Sequence, residues 1–153
     1  FEDELREGRK GAAFLPTLLE SHAPVDRVVL MLGTNDCKTI FGASEEIIGK
    51  GIARLLEQIN QYADKMKVLV ISPIYLGEKV WQDGYDQEFS PESVEVSKKL
   101  EPVYEKVAGK YGKRFMRAAD YASPSEADQE HMDGQSHKIL ADAIYRKLEA
   151  EIL

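Results

Sequence analysis

The sequence has one cysteine, Cys37, in 153 residues. A lone thiol excludes an internal disulfide and any multi-cysteine metal centre, and it is compatible with a reducing compartment. Positive charge is not in excess: 20 Lys and Arg stand against 27 Asp and Glu, a net charge of −7. That balance argues against a general nucleic-acid binder and against docking on anionic membranes. The longest aliphatic run, Val28 to Leu32, falls far short of the roughly 20 residues that span a bilayer. No signal-peptide pattern opens the chain, so a cytoplasmic location is expected. A P-loop, a dinucleotide glycine fingerprint, Cys-x-x-Cys and Gly-x-Ser-x-Gly are all missing, which removes the commonest nucleotide, redox and α/β-hydrolase signatures. No cofactor and no metal are expected.

What is present is an ordinary globular composition, 43% hydrophobic and 31% charged, at a length that suits a single domain over residues 1–153. Leu15, Leu18 and Leu19 repeat at helical spacing, with Pro16 tolerable only near a helix start. Arg27 to Leu32 reads as a strand buried on both faces. Ser44-Glu45-Glu46 reads as a helix start, and Ile47, Ile48, Ile52, Leu55, Leu56 and Ile59 give an apolar face running to about Asp64. Lys67 to Ser72 is a second buried strand, stopped by Pro73. Ser90-Pro91-Glu92 begins another helix, which Pro102 is expected to kink or restart before it ends near Gly109 to Gly112. Arg114 to Ala118 is a third strand. Asp133 caps a last helix that turns Ile139, Leu140, Ala143, Ile144 and Leu148 inward. Strands alternating with helices imply an α/β fold with a parallel sheet covered on both faces. Chemistry in such folds gathers beyond the carboxyl ends of the strands. The segments to inspect are therefore Gly33 to Lys38, Ser72 to Phe89 and Ala119 to His137.

Gly33-Thr34-Asn35-Asp36 follows the first strand. By residue type it is either an Asx-type turn or a loop that aims the Asn35 amide at a developing oxyanion. Asp128 stands three residues before His131. The two are either solvated surface groups or a carboxylate that fixes the tautomer of a general base. Asp133 and His137 compete for those roles, but Asp133 reads better as a helix cap and His137 as a helix-surface group. Together with Asp128 and His131 they match no standard metal-ligand spacing. His22 reads as surface, and Cys37 as a small packed side chain rather than a nucleophile. Tyr75, Trp81 and Tyr85 either wall a pocket, tuck the middle loop onto the body, or meet another subunit of a homo-oligomer. Ser72, Ser123, Ser125 and Ser136 read as turn formers and caps.

Taken in order, these loops resemble the SGNH (GDSL) hydrolase superfamily. Three features carry the resemblance: the strand Val28 to Leu32 followed by Gly33-Thr34-Asn35-Asp36, the pair Asp128 and His131, and the continuation His137-Lys138-Ile139-Leu140-Ala141, with Ser136 where the family usually has Gly. Leu19 to Lys38 looks most like the bacterial arylesterase and acyltransferase branch. The resemblance implies a three-layer, flavodoxin-like α/β/α sandwich and a serine esterase acting on a small ester. Asn35 would be an oxyanion donor, His131 the general base, Asp128 its orienting acid and Asp36 a partner within the loop. It also implies a first strand ending in Gly-Asp-Ser, whose Ser is the nucleophile. That strand is not found here, and neither is the family's second block, whose Gly supplies an oxyanion N–H: Gly8 and Gly11 lie in the right order but lack the surrounding pattern. The chain begins at Phe1 without an initiator Met, so the expectation is an upstream segment of the same protein that carries the serine. The alternative is a non-catalytic α/β binding domain that lacks a nucleophile.

Overall fold

A computed structural model describes residues 1–2, 6–62 and 66–150. In chain order, the described residues form α1 (Gly11–Ser21), β1 (Arg27–Met31), α2 (Glu45–Tyr62), β2 (Lys67–Ser72), α3 (Pro91–Lys110), β3 (Arg114–Arg117) and α4 (Gly134–Glu149). Short 3₁₀ turns at Asn35–Cys37, Thr39–Phe41 and Ala118–Asp120 lie between them. The sheet order is β1-β2-β3 and both pairings are parallel, with Leu30 beside Val70 and Val70 beside Phe115.

Alternation along the strands sends two sets of side chains to opposite faces. Leu30, Val68 and Val70 pack with Ile52, Leu56, Ile59, Leu100 and Tyr104 in one core. Leu69, Ile71 and Met116 pack with Leu140 and Ala143 of α4 in the other. The result is the expected α/β/α layering, with α1, α2 and α3 on one side and α4 on the other.

The cap signals act as read. Ser90 Oγ accepts the N–H of Ser93 and Ser93 Oγ returns a bond to the Ser90 N–H, with Pro91 opening α3. Asp133 Oδ1 accepts the Ser136 N–H at 2.7 Å at the start of α4. Pro16 sits at the sixth residue of α1, deeper than a first turn. Its missing N–H leaves the Ala12 carbonyl without its usual partner, and the Gln58 side-chain amide of α2 donates there at 2.8 Å.

Several expectations are corrected. Strand β1 is not buried on both faces: Val29 and Met31 are 42% and 37% exposed, and Leu32 beyond them 45%. Among the described residues β1 pairs only with β2, and α4 packs over Leu69, Ile71 and Met116 and meets β1 at its start, where Arg27 donates to the Leu148 carbonyl at 3.0 Å. Leu18, Ile47 and Ile139, expected inward, lie on the solvent side of their helices. Helix α3 runs unbroken through Pro102. Its inner face, with Val94, Ser97, Leu100, Tyr104 and Ala108 buried, outweighs the one hydrogen bond that proline removes. The third strand ends at Arg117, one residue early. The expected end of the second helix at Asp64 lies outside the described residues.

Candidate active site

The parallel sheet puts the carboxyl ends of all three strands at one edge, and the candidate loops leave from there. After β1 the chain turns at Gly33, with φ +131° and the Tyr104 hydroxyl so close that an added Cβ would lie 2.2 Å from it. Only glycine fits both conditions. Tyr104 is fully buried and its hydroxyl donates to the Leu32 carbonyl at 2.9 Å, which fixes the level at which the loop leaves the sheet. The Gly33 carbonyl then accepts the Asp36 N–H at 3.0 Å, starting the 3₁₀ turn. Thr34 is half-buried and Asn35 exposed. The Asn35 side chain makes no hydrogen bond among the described residues, so its amide is available to a ligand. Asp36 Oδ1 lies 2.6 Å from the Phe1 backbone nitrogen.

Cys37 closes this turn. It is buried, with its thiol 3.5 Å from the Gly33 carbonyl. Burial first, and the Asp36 carboxylate second, push the thiol up to about 12. The thiol therefore stays protonated at ordinary pH, and it is the thiolate that reacts. A disulfide exchange reagent is expected to leave Cys37 unmodified in the folded protein and to titrate one thiol after denaturation. Prompt modification of the native protein would contradict this.

The third loop brings Asp128 and His131 together. His131 Nδ1 lies 2.9 Å from Asp128 Oδ2. With its proton on Nδ1, the ring donates to the carboxylate and keeps a lone pair on Nε2. Asp128 Oδ1 accepts the N–H of Glu130 at 3.0 Å and of His131 at 2.9 Å. Partial burial would raise the Asp128 carboxyl, but these two N–H groups and the His131 ring outweigh it and hold the carboxyl below its usual value. The His131 side chain is 73% exposed, so Nε2 faces open space.

This turn is held against the loop after β2. Gln129 is buried and takes a left-handed φ of 63°, rare for a residue with a side chain. Its carbonyl accepts the Gly77 N–H at 2.7 Å. A Cβ on Gly77 would lie 2.3 Å from Gln129 Oε1, so glycine is what allows the two loops to meet. Lys38, only 3% exposed, joins the first loop to the same region. Its ammonium pairs with Glu88 and lies 5.7 Å from the centre of the Phe89 ring. Foremost Lys38, and then Arg6 against some burial, hold Glu88 below the usual carboxylate range. Burial lifts the Glu130 carboxyl, with His131 and Lys38 opposing and Asp86 and Asp128 reinforcing. Its Oε2 lies 3.9 Å from His131 Nδ1.

Sequence reasoning missed Lys38, Gly77, Glu88, Gln129 and Glu130. Only Gly77, a glycine in an otherwise apolar segment, gave any hint. Ser72 is 1% exposed and its hydroxyl has no hydrogen-bond partner among the described residues. Ser125 Oγ accepts the Ala127 N–H and lies 3.5 Å from Asp128 Oδ1, and Ser136 belongs to the cap of α4. His22 and His137 lie on the surface. Among the described residues no group of three His, Cys, Asp or Glu side chains is arranged to hold a metal. Tyr75 donates to Glu101 of α3 at 2.5 Å and Trp81 to the Glu78 carbonyl at 3.0 Å, so both tie the middle loop down locally.

A cavity of about 680 Å³ opens beside Gly33 and Asn35, between Phe1, Arg6, the start of α1 and the first half of α2. Asn35 lines it, whereas Asp128 and His131 do not.

No family model matches the sequence, and no curated protein does. Solved structures do. Est24, a carbohydrate acetylesterase from Sinorhizobium meliloti, is 31% identical with a TM-score of 0.88, over 98% of this chain and 72% of its own. A carbohydrate acetylesterase family member from the same organism is 28% identical with a TM-score of 0.90, over 98% of this chain and 73% of its own. The native aryl esterase of M. smegmatis is 26% identical with a TM-score of 0.87, over 98% of this chain and 72% of its own. The chain thus spans about two thirds to three quarters of the length of the solved chains it matches. On identity and coverage together, this chain belongs to the SGNH (GDSL) hydrolases, a family of ester hydrolases.

Proposed function

We propose that residues 1–153 form one domain of a serine esterase that cleaves small carboxylic esters through an acyl-enzyme. His131 is the general base, Asp128 its orienting acid and Asn35 an oxyanion donor on the Gly33-Thr34-Asn35-Asp36 loop. The nucleophile is a serine upstream of Phe1. The observation that carries the reading is the His131–Asp128 contact of 2.9 Å with Nε2 left open. Its setting, at the same sheet edge as an uncommitted Asn35 amide, supports it.

In this scheme Nε2 takes the serine proton as the oxygen attacks the ester carbonyl, and Asp128 stabilises the imidazolium that forms. The carbonyl oxygen becomes an oxyanion, which the Asn35 N–H₂ group meets together with backbone N–H groups. Nε2 then returns the proton to the departing alcohol, and water repeats the sequence on the acyl-enzyme. An upstream serine is supported by β1, whose outer face leaves Val29 and Met31 uncovered, where a buried parallel sheet expects a neighbour. Of the serines the sequence offers on this side, Ser72 is buried, and Ser125 and Ser136 sit in a turn and at a helix cap. The similar solved proteins are named as carbohydrate acetylesterases and an aryl esterase, which makes short acetyl and aryl esters the substrates to try.

The test uses the protein with its upstream segment. Asn35→Ala is expected to lower kcat on 4-nitrophenyl acetate by about 10²–10³-fold, the usual effect of losing one oxyanion donor. A fluorophosphonate probe should still label the variant. Unchanged turnover would remove Asn35 from the site, and a parent protein that takes no label would end the serine-esterase reading.

A further inference from the structure

The cavity beside Asn35 has a charge that the rest of the chain does not share. Six of its nineteen lining residues are cationic, namely Arg6, Arg9, Lys10, Lys38, Lys50 and Arg54, and one is acidic, Asp36. The whole chain has 27 acids and 20 cations. Lys38 and Arg6 are engaged by Glu88, and Arg54 lies 3.5 Å from Glu57. Arg9, Lys10 and Lys50 form no ion pair among the described residues. Lys50 and Arg54 stand one turn apart on the face of α2 that borders the cavity. Leu32, Ile48, Ile52 and Leu55 supply an apolar floor. A concave, partly apolar site with cations of one sign concentrates anions, because the low-dielectric walls focus their field.

We infer that this cavity receives an anionic part of the substrate, so that the protein prefers esters carrying a carboxylate over neutral ones. The inference deepens the esterase reading of the same site and rests on it. The ester carbonyl lies at Asn35, and the carboxylate reaches toward Lys10, Lys50 and Arg54. The apolar floor takes the body of the molecule.

The test compares each anionic ester with a neutral ester of closely matched leaving group, on the protein with its upstream segment: 4-acetoxybenzoate against 4-acetoxybenzamide, with the charge on the alcohol side, and mono-4-nitrophenyl adipate against 4-nitrophenyl hexanoate, with the charge on the acyl side. One anionic ester is expected to show kcat/KM about tenfold above its neutral counterpart, the scale of two or three exposed ion pairs. Which of the two shows it identifies the side of the ester that the cavity holds. The preference should fade as salt rises from about 0.01 M to about 1 M, where the screening length falls from roughly 30 Å to 3 Å. It should collapse in the Lys50→Gln and Arg54→Gln double variant but not in Lys106→Gln, which makes the same kind of charge change on α3. Hydrolysis with no preference, or a preference that survives the double variant, overturns the inference and leaves the esterase reading standing.

If no ester is cleaved, the esterase reading is what fails, and a titration with sodium benzoate decides the site alone. Saturable shifts of the Gly33 and Gly51 amide resonances, lost in the double variant, uphold an anion site. Absence of saturable shifts overturns it.

Discussion

With alanine in place of His131, kcat for a short aryl ester is expected to fall about 10⁶-fold, the scale on which loss of a triad histidine acts. Stability should hardly change, because the side chain is 73% exposed and the turn is held by backbone bonds to Asp128 Oδ1 that alanine keeps. Asp128→Asn is the finer probe, with an expected loss of about 10⁴-fold. Asparagine retains one oxygen for the two backbone N–H groups, so the turn survives. Its amide would then donate to Nδ1, forcing the ring proton onto Nε2 and removing the base. Stopped assays and melting curves on the two variants check both statements. Activity within tenfold of the parent in His131→Ala would sink the assignment.

Tyr104→Ala is expected to be the most damaging change to the scaffold of the site. Truncating a fully buried aromatic ring costs about 3–5 kcal/mol, a fall of roughly 6–20 °C in Tm for a chain of this size. Tyr104→Phe keeps the ring and loses only the bond to the Leu32 carbonyl, at about 1 kcal/mol. The gap between the two variants separates packing from hydrogen bonding. Equal melting temperatures for all three proteins would show that α3 does not set the height of the Gly33 turn.

The parts of the site that were legible in the sequence are those written in adjacent residues. Gly33 to Asp36 and Asp128 to His131 are single turns, each closed by bonds between near neighbours: the Asp36 N–H to the Gly33 carbonyl, and His131 to Asp128. The caps Ser90 and Asp133 were legible for the same reason. Lys38 was not: its burial depends on Glu88 and Phe89, some fifty residues further on, and nothing beside it in the chain distinguishes it from a surface lysine. Gln129 and Gly77 form another pair that only the fold brings together. The apolar run in β1 was read correctly as strand and wrongly as buried on both faces. Hydrophobicity states what a side chain would gain by being covered, not whether the described chain covers it. Pro102 misled because a local rule met a long helix whose buried face holds it straight.

The bond from Gln58 to the Ala12 carbonyl makes two distant positions interdependent. Pro16 creates the orphaned carbonyl that Gln58 meets. A glutamine-to-leucine change at position 58 is therefore costly while the proline remains. With alanine at position 16 the helix would supply its own N–H, and the same change would lose most of its cost. Substitutions here are contingent on order: the proline must go first, or the glutamine is held in place by a residue whose effect reaches it through the Ala12 carbonyl.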